Sequence, residues 1–149
     1  MKAYTLNEAD IEVPEHWKDG TINAFMLPSS KDAREADASL VITRDADAES
    51  ADVEKYADSQ LVNAAKNLNR YRLIERRSSS ISDEPAMEID FTWVTPERIE
   101  IRQRQAYVRH EDLFLIFTLT SRASDFARYE GVWEETIASV QLHNSSTDR

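Results

Sequence analysis

The sequence predicts an α+β fold: an antiparallel β-sheet with two main helices packed on it, in a single domain. Three observations lead there. Most of the chain alternates apolar and polar residues with a period of two. The period changes to three and four in only two stretches. The connections after the first of these are too short for parallel crossovers. A length of 149 residues, 41% of them hydrophobic, suits one packed domain. That domain is expected over residues 1–142, with 143–149 as a polar tail.

Tyr4–Leu6 and Ile11–Val13 are short extended pieces on either side of the turn at Asn7–Asp10. Pro14 breaks the chain before Trp17, because proline lacks an N–H and fixes its own φ. Ile22–Leu27 is a strand closed by Pro28, Ser29–Asp37 a polar loop, and Ser39–Arg44 a strand that can form a hairpin with it. Ser50 and Asp52 are both suited to cap a helix. Its stripe is Val53, Tyr56, Ala57, Gln60, Leu61, Ala64 and Leu68, and Asn67–Asn69 stops it.

Tyr71–Arg77 follows as a strand, with Ser78–Ser80 as its turn. Met87, Ile89, Phe91 and Trp93 alternate with polar residues, which reads as a half-buried strand with one apolar face. Thr95–Glu97 leads into Arg98–Arg109, where Ile99, Ile101, Gln103, Gln105 and Tyr107 share one face. The arginines on its other face read as solvated positions paired with Glu75, Glu88, Asp90 and Glu100. Leu113–Thr120 is apolar on both faces and belongs centrally in the sheet. Ser124 is expected to cap a second helix with the stripe Phe126, Tyr129, Val132, Trp133, Ile137 and Val140.

The residue inventory excludes most enzyme chemistry. Cysteine is absent, which removes disulfides, thiol nucleophiles and thiolate metal sites. Gly20 and Gly131 are the two glycines, so neither a phosphate-binding loop nor a nucleophile elbow can be built. The histidines, His16, His110 and His143, are isolated from one another. Glu97 with Glu100, and Glu134 with Glu135, read as solvated surface, and His110 beside Glu111 and Asp112 as turn polarity. No catalytic residue, metal or cofactor is expected. A net charge of −10 opposes nucleic-acid binding. The acidity is concentrated in residues 1–58, with 14 acids against 6 bases. The N-terminus has no apolar signal segment, and no apolar run approaches the roughly 20 residues of a membrane span. A cytoplasmic protein without stable membrane association is expected.

Two features are left over. Gln60, Gln103 and Gln105 place uncharged amides on otherwise apolar faces, either to satisfy groups inside the domain or to meet polar groups of a guest. Ile22, Ala24 and Met26 project from one face of their strand and Phe25 and Leu27 from the other; either these aliphatics are simply core packing, or two helices leave apolar sheet open unless a second subunit covers it.

The segments AYTLNEADIEVPEHWKDGTINAFMLP (Ala3–Pro28), LVITRD (Leu40–Asp45), YADSQLVNAAKNL (Tyr56–Leu68) and RQAYV (Arg104–Val108) resemble the Eag chaperones, effector-associated DcrB-like proteins of bacterial type VI secretion. The similarity runs from residue 3 to about residue 140 and is most specific over Trp17–Pro28. It implies a Mog1/PsbP-like fold, a homodimer and no catalytic activity. It further implies binding of the hydrophobic N-terminal transmembrane segment of a PAAR-containing effector, Rhs toxins included. The segment would be shielded in the cytoplasm before loading onto the secretion spike. The resemblance assigns Ile22, Ala24, Val41, Gln60, Leu68 and Gln105 to the effector-binding groove; Ala24 stands where relatives can carry a larger aliphatic. The alternative is a generic interaction module of Mog1-like fold that binds a folded soluble partner.

Overall fold

A computed structural model describes residues 1–28, 36–46, 48 and 52–143 of the protein. Strands β1 (Lys2–Thr5) and β2 (Asp10–Val13) pair as a separate antiparallel hairpin. After them come β3 (Asn23–Pro28), β4 (Ala36–Asp45), helix α1 (Val53–Asn67), β5 (Arg72–Ile81), β6 (Glu84–Val94), β7 (Glu100–His110) and β8 (Leu113–Arg122). A 3-10 segment, Ala123–Tyr129, leads into α2 (Glu130–Ser139). The main sheet has the order β3-β4-β8-β7-β6-β5, with every neighbouring pair antiparallel. Residues 29–35 of the expected Ser29–Asp37 loop, and the tail from 144 to 149, lie outside the described residues; Ala36 and Asp37 already belong to β4.

The helices cover opposite faces of this sheet, and strand alternation shows it. On β7, Ala106 and Val108 are buried with Phe126, Tyr129, Trp133 and Ile137 of the 3-10 segment and α2. Tyr107, between them, belongs instead to the cluster of Tyr56, Met87, Ile89, Phe91 and Phe114 beneath α1. Asp52 caps α1 by accepting from the Glu54 and Lys55 amides at 2.8 and 3.4 Å. The other expected cap, Ser50, lies outside the described residues. The Leu68 amide closes the helix on the Ala64 carbonyl at 2.9 Å.

Several expectations are corrected. Ser78–Ser80 is not a turn but the last part of β5; the reversal falls at Ser82-Asp83, whose φ angles of 52° and 65° make a two-residue turn matched to strand twist. Arg98 is not in β7 but ends the preceding turn with φ 67°, its amide bonded to the Thr95 carbonyl at 2.9 Å. Ser124 does not cap a helix, because the chain leaves β8 through the 3-10 segment, which has no side-chain cap. Val132 is exposed, whereas Trp133 and Ile137 are buried.

The largest correction concerns β6, which is buried on both faces. Glu88, Asp90 and Thr92 lie under the 3-10 segment and α2, so the arginines facing them are not all solvated. Arg102 Nε and Nη2 donate to the two Asp90 oxygens at 2.9 and 2.7 Å, and Arg104 Nη2 reaches Asp90 Oδ2 at 2.7 Å. Both guanidinium groups lie over the Phe126 ring, at 4.4 and 5.2 Å. Burial pushes the Asp90 carboxyl up, but the hydrogen bonds and charges of the two arginines outweigh it and hold the group below its ordinary value.

Candidate apolar groove beside helix α1

Helix α1 covers only part of its face of the sheet. It packs on β6 and β7, burying Tyr56 and Ala57, with Val53, Leu61 and Leu68 half-buried against the cluster below. Tyr56 anchors its N-terminal end. The ring stacks on Phe114 at 4.1 Å and the hydroxyl donates to Asp45 Oδ2 at 2.7 Å; burial first, and that bond second, push the phenol pKa up. Arg76 on the far edge strand holds α1 from the other side through Asp58 at 2.8 Å.

Beyond α1, whose Tyr56 reaches Phe114 of β8 and Asp45 of β4, the described residues leave the same face open over the rest of β8, β4 and β3. Pairing register aligns Ala24 of β3, Val41 of β4, Thr118 of β8 and Gln105 of β7 in one row. The next row is Met26, Ser39, Thr120 and Gln103. Ile22 precedes β3 by one residue, and continuing the register sets it opposite Thr43. Ile22 is 64% exposed and Met26 66%, while Val41 is half-buried. A depression of about 190 Å³ lies by Met26, Ser39, Ile101 and Thr120. Strand spacing of about 4.8 Å makes the span from β3 to β7 roughly 14 Å, enough for one helix about 10 Å across.

Of the sequence-predicted residues, Ile22, Ala24, Val41 and Gln105 thus share one side of the sheet and lie on or beside a single row. Gln60 is half-buried on the inward stripe of α1, and among the described residues its amide has no hydrogen-bond partner. Leu68, two turns further on at the end of α1, packs into the cluster with Trp93 and Tyr71. Gln105 is engaged within the protein: its Nε2 donates to Thr118 Oγ1 at 3.2 Å, and the Tyr107 hydroxyl donates to its Oε1. Gln103 makes the same arrangement with Thr120 and Trp93. Met26, Ser39, Thr118 and Thr120 complete the floor. Met26 was legible from alternation on β3, but the threonines join only through register across β4, β8 and β7.

A larger cleft, about 810 Å³, opens between the start of α1 and the β5–β6 and β7–β8 turns. Its lining mixes charged residues, among them Glu54, Glu84, Arg109 and Glu111, with polar and apolar ones, and it contains none of the predicted site residues. Arg109 is already held by the Glu111 carbonyl at 2.9 Å and by the Phe114 ring. Among the described residues no three acidic or histidine side chains stand together as a metal site, and no helix is long and apolar enough to cross a membrane.

The profile of the DcrB family matches residues 8–139. A protein of Pseudomonas aeruginosa named effector EagT6 is 36% identical over 140 residues, covering 94% of this chain and 95% of that protein. A crystal structure of PA94, described as a Pseudomonas aeruginosa protein of unknown function, superposes with a TM-score of 0.82 at 33% identity, covering 97% of this chain and 99% of that one. LpqN of Mycobacterium tuberculosis matches with a TM-score of 0.52 at 12% identity over 84% of this chain and 85% of its own. PsbP of Synechocystis gives 0.50 at 13% identity over 93% and 89%. The last two likenesses are likenesses of fold.

Proposed function

From a chain that belongs to the DcrB family and is a relative of EagT6, we propose a chaperone and adaptor of type VI secretion. It binds and shields the N-terminal transmembrane helices of a PAAR- or Rhs-type effector in the cytoplasm, before the effector loads onto the spike. The observation that carries this reading is the sheet face beside α1 that the described residues leave open, with Ile22 and Met26 about two-thirds exposed on it. An edge strand with apolar side chains turned to water is unfavourable unless a partner covers it.

Such a floor and wall suit an apolar helix laid into a groove. Each aliphatic side chain of the client that becomes fully buried contributes ~1.5–3 kcal/mol. Gln60 offers an amide at the wall of the groove, where a polar group of the client can meet it without burying a charge. The net charge of −10 keeps a complex with a hydrophobic client dispersed. A homodimer would bring two such faces into one particle.

The test is co-expression with the hydrophobic N-terminal segment of a PAAR-containing effector. The segment should be recovered soluble and bound when the chaperone is present, and lost to the pellet or membrane when it is absent. Equal solubility in both cases rejects the reading. Recovery of folded soluble partners alone, with no hydrophobic segment, would favour a generic interaction module instead.

A further inference from the structure

Two turns meet at the end of α1. The Val94 amide donates to the Asn69 carbonyl at 2.9 Å, and Asn69 Nδ2 donates back to the Val94 carbonyl at 3.4 Å. The turn after α1 is thereby tied to the one between β6 and β7. Each carries an arginine in the left-handed region, Arg70 with φ 54° and Arg98 with φ 67°, where glycine or asparagine sits more easily. Between the turns opens a cleft of about 530 Å³, lined by Asn69, Arg70, Val94, Thr95, Pro96 and Arg98.

This lining consists of hydrogen-bond donors and apolar surface, without a carboxylate. Both arginines are exposed, and among the described residues neither side chain has an ion-pair or hydrogen-bond partner. Even Glu97, in the same turn as Arg98, does not pair with it. By contrast Arg76, Arg77, Arg102 and Arg104 all hold carboxylates. Thr95 Oγ1 accepts from the Ile99 amide at 3.1 Å and keeps its own proton to donate. The chain has no acidic residue from Ser59 to Ile74, where Lys66, Arg70 and Arg72 lie. In a protein of net charge −10, this end of α1 is locally cationic.

We propose that this cleft binds a carboxylate of a partner polypeptide, an acidic side chain with an apolar neighbour, through Arg70 and Arg98. A guanidinium presents two parallel N–H groups that match the two oxygens of a carboxylate. Val94 and Pro96 give an adjoining aliphatic side chain a surface to cover. The acidic exterior repels polyanions at a distance, which favours a single carboxylate carried on a chain. No residue of the groove floor lines the cleft, so the site is separate from the open face and does not rest on the helix-binding reading.

The test titrates the nitrogen-15-labelled full chain with the peptide acetyl-Ser-Glu-Leu-Ser-amide, its glutamine counterpart and inorganic phosphate, following the Nε–H signals of Arg70 and Arg98 by NMR. At about 50 mM salt the glutamate peptide should bind roughly threefold to thirtyfold tighter than the glutamine peptide, which is what two exposed ion pairs add. The preference should shrink at about 0.5 M salt, where such pairs are screened. It should vanish in the double variant Arg70→Asn with Arg98→Asn, whose urea midpoint should hold because asparagine tolerates positive φ. The pair Arg70→Gly and Arg98→Gly, which relieves the backbone, should show the same loss. Equal affinity for the two peptides overturns the proposal, and so does a preference that survives either double variant or high salt. Tighter binding of inorganic phosphate than of the glutamate peptide also overturns it, by making the ligand a phosphate.

Discussion

Trp133 of α2 donates its indole N–H to Glu88 Oε1 at 3.1 Å, and Arg77 of β5 reaches the same oxygen at 3.1 Å. The carboxylate is buried, so α2 is tied to the sheet by a hydrogen bond to a charge as well as by apolar packing. Trp133→Phe keeps most of the packing and removes this bond. The expected loss is about 1.5–3 kcal/mol of folding stability, read as a lower urea midpoint. Client binding should hardly change, because Glu88 and the groove lie on opposite faces of the sheet.

Asp90 connects the same region to pH. Its folded pKa lies below the ordinary value of 3.8, so in acid the unfolded chain binds a proton before the folded one does. The stabilisation is complete above that ordinary value and is lost as pH falls through the depressed one. Asp90→Asn, which leaves Arg102 and Arg104 with Glu130 as their remaining carboxylate, should cost about 1.5–3 kcal/mol at neutral pH. Denaturation from pH 7 down to strongly acidic conditions should show the gap between variant and parent narrowing below about pH 4. A constant gap would mean that Asp90 acts through shape alone.

Ile22→Asp tests the groove with little risk to the fold. The side chain is exposed, so folding stability should move by no more than about 0.5 kcal/mol. Capture of a hydrophobic client segment should nevertheless collapse, because a charge would be desolvated beneath it. If thermal unfolding shows a large loss instead, Ile22 is part of the core and the groove has been misplaced.

Gln60→Ala and Gln105→Ala should behave differently. The family resemblance implies the same binding role for both amides, but Gln105 holds the hydroxyl of the fully buried Tyr107. Removing it strands that hydroxyl and should cost about 1–3 kcal/mol of stability besides any loss of client affinity. Gln60→Ala should leave the urea midpoint almost unchanged and weaken client binding by about two- to tenfold. Equal destabilisation by both changes would contradict the hydrogen bonding described.

Much of the fold was legible because its signals are local. The stripe from Val53 to Leu68, the Asp52 cap and the alternation of β3, β4 and β7 each depend on residues within a few positions of one another. The misread places were those where a distant element changes the environment. Alternation on β6 marks one apolar face, yet the 3-10 segment and α2 close over Glu88 and Asp90 and convert the polar face into a buried ionic layer. The turn falls at Ser82-Asp83 and not at Ser78–Ser80, because three serines in a row look locally like a break although pairing with β6 makes them the last part of a strand.

The amino-acid order by itself determined most of the secondary elements though not all their ends, the inventory without cysteine and nearly without glycine, the acidic charge, and which side chains share a strand face. These follow from backbone periodicity and residue chemistry, which need no knowledge of partners in space. Only the tertiary structure decided that the helices take opposite faces, that α1 reaches β4 just at Asp45, and that Ala24, Val41, Thr118 and Gln105 form one row. Strand order and register arise from the simultaneous packing of segments far apart in the chain, so no single stretch of sequence carries them.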